Sequence, residues 1–422
     1  MEKNEIRGLP EQALYALLGI AVGLGVGAVV GIFGRGVEFF AELGSSHFRL
    51  YVWFLPLAGL FTVFMLRRWG NGGIGMEAAF RASRGEAGRL SLRGIFFQFA
   101  GTWSAHLFCG SVGREGAAMQ IGAAIGGNIG RRVPLEGAAR ILLVAGMGAG
   151  FAALFCTPVC ALFFVLEVTI VGGIRLRALT ASAFAAFTAY FVSSLCGLTH
   201  FAPVIDCTLA LSVQTCLRVF VLGAACGLAG FVFCLIRRCA GNFFRAALPN
   251  PYARVLLAGA ALSCLLFLTG GRYAGLGTNL VEEAMNGGTV YAFDWIVKIL
   301  FTAATLSVGF LGGEVTTFFA AGACLGYTCG IVLGLPPAVC ACIGYAAVFG
   351  AATNTLIAPV FLCAEVFGGA FLPYAAIACV AAYLFNFGHS VYNQRVSEDV
   401  FGRIARIRRG KKRLLPVPRR LY

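Results

Sequence analysis

The chain has 422 residues, of which 59% are hydrophobic and only 12% are charged, and its net charge is +15. Soluble proteins carry about 25% charged residues, so this composition cannot cover a water-facing surface of that size. The composition excludes a soluble enzyme, a nucleic-acid-binding protein and a secreted disulfide-stabilised domain. We therefore predict an all-α polytopic membrane protein.

Apolar segments follow one another along most of the chain. They cover residues 14–40, 51–66, 95–108, 116–129, 138–154, 159–171, 179–195, 209–236, 255–269, 295–308, 318–335, 339–350, 356–367 and 372–387. Several are shorter than the roughly 20 residues that span a bilayer. The chain also contains 57 glycines. Short segments with glycine-rich breaks are typical of transporters whose broken helices meet at a site near the membrane midplane.

The two ends of the chain differ in charge. Residues 1–9 are polar, and we expect a short cytoplasmic N-terminal segment followed by a retained first helix. Residues 10–402 form the predicted transmembrane domain. The tail at 403–422 holds nine basic residues, which indicates a cytoplasmic C-terminus that also contacts anionic lipid. Because this basic tail directly follows an apolar segment, we expect no nucleic-acid partner. The 16 cysteines lack zinc-site spacing, so we expect no metal and no cofactor.

The chain contains two similar halves, at about 10–200 and 210–395. In each half a Gly/Ala-rich segment is followed by a proline and then by an apolar segment that ends in a glutamate, Glu167 or Glu365. We predict two helical repeats, which could be inverted relative to each other, and chance similarity of apolar sequence is the alternative. The matching positions of Glu167 and Glu365 favour a structural role, as helix caps or as partners of arginine.

A glutamate in an apolar segment is costly and is therefore a candidate functional residue. Glu115 lies between Gly113 and Gly116, just before a helix of small residues. The N-terminus of a helix presents free N–H groups that bind anions. A carboxylate placed there can occupy the anion position and leave it when protonated. The alternative is a helix-capping glutamate paired with Arg114.

Four further polar residues lie in or just after glycine-rich breaks or after the last apolar segment. Glu314 opens a second helix beside Thr316, whose hydroxyl can donate to an anion. Asn71 could offer its amide to an anion or form an ordinary Asn-Gly turn. Tyr392 could donate its phenol at a pore mouth, or it could be an interfacial tyrosine.

The motifs Gly113-Arg-Glu-Gly116, Gly312-Gly-Glu-Val-Thr316 and Gly70-Asn-Gly-Gly-Ile74, with the terminal Tyr392, resemble the CLC family of chloride channels and anion/proton antiporters. The resemblance extends over about residues 10–400. It implies two antiparallel helical repeats in each subunit and a homodimer with one pore per subunit. It also implies that Glu115 is the gating glutamate that exchanges an anion for a proton. We expect no CBS domains, because the stretch after the last apolar segment is too short to build one.

Several departures resemble the fluoride-exporting branch of that family. The second loop reads Gly-Gly-Glu-Val-Thr, and Val168 stands where chloride antiporters carry a second, inward glutamate. Thr317 departs from this branch too, because a proline is usual there. This branch replaces the serine of the chloride members' first loop by Asn or Met, and either Asn71 or Met76 is the counterpart here. Phe80 is the candidate for an aromatic contact to the anion.

We therefore expect a fluoride/proton antiporter of the bacterial inner membrane. Glu115 is the expected gate and Glu314 the second proton-carrying acid. The expected anion site is formed by Asn71, Met76, Gly113, Arg114, Gly116, Val315, Thr316 and Tyr392. A chloride channel or chloride/proton antiporter is the nearer alternative, and a non-transporting membrane scaffold the more distant one. We do not expect an enzyme, because the sequence contains no visible nucleophile–base pair.

Overall fold

The computed structural model describes residues 2–70, 75–86, 90–171, 176–198 and 203–396. Asn71 and the basic tail at 403–422 lie outside these residues. Within them, seven helices are long and apolar enough to cross a membrane: Glu11–Ser46, Phe48–Trp69, Ala138–Phe155, Arg177–Leu195, Val213–Ala247, Pro251–Leu268 and Val315–Leu333. The prediction of an all-α membrane protein is confirmed.

The helices form two successive sets. The first set comprises α1 (Glu2–Ser46), α2 (Phe48–Tyr51), α3 (Leu55–Trp69), α4 (Met76–Ser83), α5 (Arg93–Leu107), α6 (Glu115–Gly130), α7 (Ala138–Phe155), α8 (Pro158–Thr169) and α9 (Leu176–Leu195). The second comprises α10 (Val213–Ala247), α11 (Pro251–Leu268), α12 (Thr278–Met285), α13 (Asp294–Val308), α14 (Val315–Leu333), α15 (Pro337–Thr353), α16 (Ile357–Phe367) and α17 (Leu372–Phe385). Short 3₁₀ turns lie at Val52–Phe54 and Gly369–Phe371. The strands β1 (Ile170–Val171) and β2 (Arg395–Val396) pair in parallel.

Glycines allow helices within each set to approach closely. A Cβ atom at Gly122 of α6 would collide with the backbone of Gly146 of α7. The equivalent pair in the second set is Gly322 of α14 and Gly344 of α15. Transmembrane helices associate mainly through such backbone-close packing, because the lipid surrounding them is as apolar as they are. The high glycine content therefore serves the same contact in both repeats.

The two repeats are joined by crossed helix caps near their ends. The carboxylate of Glu167, in α8, accepts hydrogen bonds at 2.9–3.1 Å from the first N–H groups of α16, those of Leu356, Ile357 and Ala358. Glu365, in α16, accepts from the N–H groups of Val159 and Cys160 at the start of α8. Of the two structural roles expected for these glutamates, capping is the one found, and each glutamate caps a helix of the other repeat.

Candidate anion and proton pathway

The loops that precede α6 and α14 meet at one point. The Gly113 N–H donates to the Gly313 carbonyl at 2.7 Å, and the Gly313 N–H donates to the Gly113 carbonyl at 2.7 Å. This antiparallel pair brings the N-terminal ends of both helices together. The free N–H groups and the positive end of each helix dipole make such a position favourable for an anion.

The carboxylate of Glu115 occupies this position. The residue is fully buried, and its Oε2 atom accepts from the backbone N–H of Arg114 at 3.1 Å and of Thr316 at 3.4 Å. Neither Glu115 Oε1 nor Thr316 Oγ1 has a hydrogen-bond partner within the described part of the chain. The carboxyl group thus sits between the two helix starts, and the Thr316 hydroxyl beside it is free to donate a hydrogen bond.

Gly113 and Gly313 leave the space for the carboxylate. A Cβ atom at Gly313 would lie 2.7 Å from Glu115 Oε2, and one at Gly113 would collide with the same oxygen and with Thr316 Oγ1. No side chain larger than hydrogen therefore fits at either position while Glu115 keeps this conformation. Gly116, one residue further, is buried as well.

Arg114 turns away from the carboxylate that follows it. Its guanidinium forms an ion pair with Glu38 of α1 at 3.2 Å, so the expected alternative of a Glu115–Arg114 side-chain pair is not what the structure contains. Both residues line a vestibule of about 400 Å³, together with Thr278, Thr316, Phe319 and Tyr345. This vestibule reaches Thr316 from the side of the protein where α1 ends.

Glu314 points elsewhere. Its carboxylate accepts from Arg237 Nε at 2.6 Å, and Arg237 Nη1 also donates to Ser307 Oγ at 3.0 Å. The Glu314 side chain is 15% exposed and that of Arg237 is 30% exposed, so the ion pair borders an accessible space. Glu115 and Glu314 therefore occupy two distinct environments, one without a cationic side-chain partner and one with such a partner.

Tyr392 packs against Phe80 of α4. The centroids of the two rings are 5.2 Å apart. The backbone N–H of Tyr392 donates to Ser390 Oγ at 3.2 Å, and no hydrogen bond of its hydroxyl is found among the described residues. The phenol is thus available as a donor.

The remaining predicted residues flank α6 and α14. Met76 begins α4, and its Cγ atom would lie 3.6 Å from a Cβ placed at Gly116. Val315, fully buried, is the first residue of α14. The structure therefore brings Gly113 and Thr316 to the Glu115 carboxylate and Met76 to Gly116, while Arg114 faces the vestibule.

Comparison with known proteins shows which family the chain belongs to. The sequence model described as "Voltage gated chloride channel" matches residues 58–386. The chain belongs to this family, the CLC family.

Similar CLC proteins include both chloride and fluoride systems. A "Chloride/fluoride channel protein" of Pseudomonas syringae pv. tomato is 34% identical over 319 residues, which is 74% of this chain and 70% of that protein. An "H(+)/Cl(-) exchange transporter ClcA" of Vibrio cholerae is 29% identical over 276 residues, 60% of this chain and 58% of that protein. The crystal structure of a CLC-type fluoride/proton antiporter superposes with a TM-score of 0.87 at 39% identity, covering 90% of this chain and 97% of that one. A slow cyanobacterial Cl⁻/H⁺ antiporter shares the fold, with a TM-score of 0.75 at 16% identity, over 94% and 99% of the two chains.

Two polar residues of this CLC chain were missed by sequence reasoning. Arg237, the partner of Glu314, lies in the apolar helix α10. A charged residue in such a helix is itself a candidate functional residue. Gln120 of α6 accepts from Gly75 N–H at 2.7 Å and from Gln98 Nε2 at 2.6 Å, and it donates to the Gly116 carbonyl. It thereby fixes the start of α4 against α6, and nothing in the sequence points to this contact.

Proposed function

We propose that the protein exports fluoride from the bacterial cytoplasm in exchange for protons, as a homodimer in the inner membrane. The observation that carries the proposal is the buried Glu115 carboxylate at the meeting point of two helix N-termini. A halide and the ionised carboxylate compete for the same N–H donors. Protonation removes the charge of the carboxylate, so the side chain leaves and the anion takes its place.

Fluoride is favoured over chloride by the donors around this position. Fluoride is small and strongly hydrated, so a site must replace its water with strong hydrogen-bond donors. Thr316 Oγ1 is buried without a partner beside Glu115, and we assign the Tyr392 phenol as a second donor. The similarity to a fluoride/proton antiporter at 39% identity supports the same anion.

The proton route uses the second acid. Val168 of α8 is fully buried and apolar, so the position of the inward glutamate of chloride antiporters offers no group that binds a proton. Glu314 borders an accessible space beside its partner Arg237, so it can exchange a proton with water. Protons moving inward drive export, since each charge that crosses 100 mV is worth about 2.3 kcal/mol.

The deciding experiment measures halide efflux and proton influx in proteoliposomes, with fluoride and chloride in parallel. Wild-type protein is expected to move fluoride at least tenfold faster than chloride and to move protons in the opposite direction. Glu115→Gln, which keeps the shape but cannot ionise, is expected to lose proton movement. Fluoride efflux without proton influx in the wild type would contradict coupled exchange.

Chloride transport is the second candidate. It is favoured by the similarity to an H⁺/Cl⁻ exchange transporter of Vibrio cholerae. Chloride efflux as fast as fluoride efflux in the same vesicles would select this alternative. Absence of both fluxes from folded, reconstituted protein would select the non-transporting scaffold.

A further inference from the structure

A lysine is buried close to the two loops that meet at Gly113 and Gly313. Lys298 of α13 is fully buried. Its ammonium donates to Ser111 Oγ at 3.0 Å and to the carbonyls of Tyr273 and Gly275 at 3.1 and 2.8 Å. Three acceptors match the three N–H donors of a protonated lysine.

This cation has no carboxylate partner. Within the described residues no acid lies within ion-pair distance of Lys298, and the acid one turn earlier in α13, Asp294, is bound by Arg272 and Tyr273. A buried charge without a counter-ion is costly, and intramembrane charges of this kind mark ion pathways. An anion bound at the Glu115 position would provide a counter-ion for the Lys298 ammonium.

A chain of hydroxyls leads from Lys298 to the start of α14. Ser111 Oγ lies 2.9 Å from Thr302 Oγ1, which lies 2.9 Å from Thr317 Oγ1, and all three residues are buried. Because Ser111 Oγ accepts from the ammonium, its own hydrogen is free to donate to Thr302, and that of Thr302 can then donate to Thr317. Hydrogen bonds in such a chain polarise one another. The hydroxyl dipoles then point their positive ends away from Lys298 and towards Thr317.

Both ends of the chain lie next to the candidate anion site. Ser111 precedes Gly113 by two residues. Thr317 follows Thr316, whose N–H donates to Glu115 Oε2. Thr317 is also the residue at which the second loop departs from the motif that it resembles, and a proline there would have no hydroxyl to complete the chain.

We propose that Lys298 is a positioning residue that sets anion affinity, acting through Ser111, Thr302 and Thr317. The ammonium adds fixed positive charge behind the place where the two helix N-termini converge. It also orients the hydroxyls of both loops, so that their dipoles favour an anion at the Glu115 position. The inference rests on the proposed function, because it needs a halide to bind there.

The charge is tested with Lys298→Gln and Lys298→Met in proteoliposomes, using the halide that the wild type transports faster. If the charge matters, both variants raise the half-saturating halide concentration about tenfold or more, with a smaller change in the maximal rate. If Lys298 acts only through its hydrogen bonds, Lys298→Gln, whose amide still donates, should keep the half-saturating concentration of the wild type, whereas Lys298→Met should raise it. Half-saturation within twofold of wild type in Lys298→Gln would overturn the proposal.

The hydroxyl chain is tested independently at its far end. Thr317→Val keeps the shape but breaks the chain and is expected to raise the half-saturating concentration at least threefold, while Thr317→Ser is expected to restore most of the affinity. Thr328→Val, in the same helix with its hydroxyl bound only to the Cys324 carbonyl, is the matched control. If the Lys298 variants do not fold, as judged by gel filtration in detergent, the Thr317 pair decides. A wild type that moves no halide overturns the proposed function, whereas normal wild-type transport with an unaltered Thr317→Val overturns only this inference.

Discussion

Gly113 and Gly313 exchange both of their backbone hydrogen bonds at 2.7 Å, although 200 residues of chain separate them. The pair holds two helix N-termini against one carboxylate, that of Glu115. Neither glycine could carry a side chain without displacing it. The geometry of the site therefore depends on two residues that themselves bind nothing through a side chain.

Gly313→Ala should displace the Glu115 carboxylate from between the two helices. The added methyl group would lie 2.7 Å from Glu115 Oε2, which is closer than carbon and oxygen can approach. We expect proton-coupled halide exchange to fall at least tenfold in vesicle assays. Gly369→Ala, where a Cβ meets no atom within 4 Å, is the control, and equal activity of the two variants would contradict the assignment.

Glu314→Gln should uncouple proton movement from halide movement. The substitution removes the acid that we propose takes up the proton, and it weakens the pair with Arg237. We expect the ratio of protons to halide to fall at least fivefold, measured with a pH electrode and a halide electrode on the same vesicles. Glu136→Gln, at an exposed acid in the loop between α6 and α7, should leave the ratio unaltered. Unchanged coupling in Glu314→Gln would rule out a second acid at this position.

Tyr392→Phe should weaken anion binding while preserving the fold. The ring would keep its packing on Phe80, but the unpartnered hydroxyl would be lost, and one hydrogen bond to a charged group is worth about 1.5–3 kcal/mol. We expect a rise of about tenfold or more in the half-saturating fluoride concentration. Tyr190→Phe, at an exposed tyrosine of α9, serves for comparison. If Tyr392→Phe binds fluoride like wild type, the phenol is not on the anion path.

Glu167→Ala should destabilise the protein more than Glu365→Ala. The first removes the acceptor for three backbone N–H groups and the second for two. Each buried donor left without a partner costs about 1–3 kcal/mol. Thermal unfolding in detergent should show the larger drop in melting temperature for Glu167→Ala. The reverse order, or no change in either variant, would show that the caps contribute little.

The sequence predicts the membrane class, the two repeats and Glu115 as the central acid, because these depend on composition and on local motifs. Gly113, Glu115 and Gly116 are contiguous, so their proximity follows from the chain itself. The partners of Glu314 and Lys298 are different. Arg237 is 77 residues from Glu314 and Ser111 is 187 residues from Lys298, and such pairings follow only from how the two repeats pack. The same holds for the Arg114 side chain, whose actual partner, Glu38, lies in the first helix.

The crossed caps of Glu167 and Glu365 also bear on how a transport cycle can move. If one repeat swung as a rigid body against the other, five backbone N–H groups would lose their acceptors at every turnover. The two crossed caps therefore favour a transport cycle in which the two repeats keep their relative position and only individual side chains move. A covalent cross-link between α8 and α16 should then leave the turnover number intact.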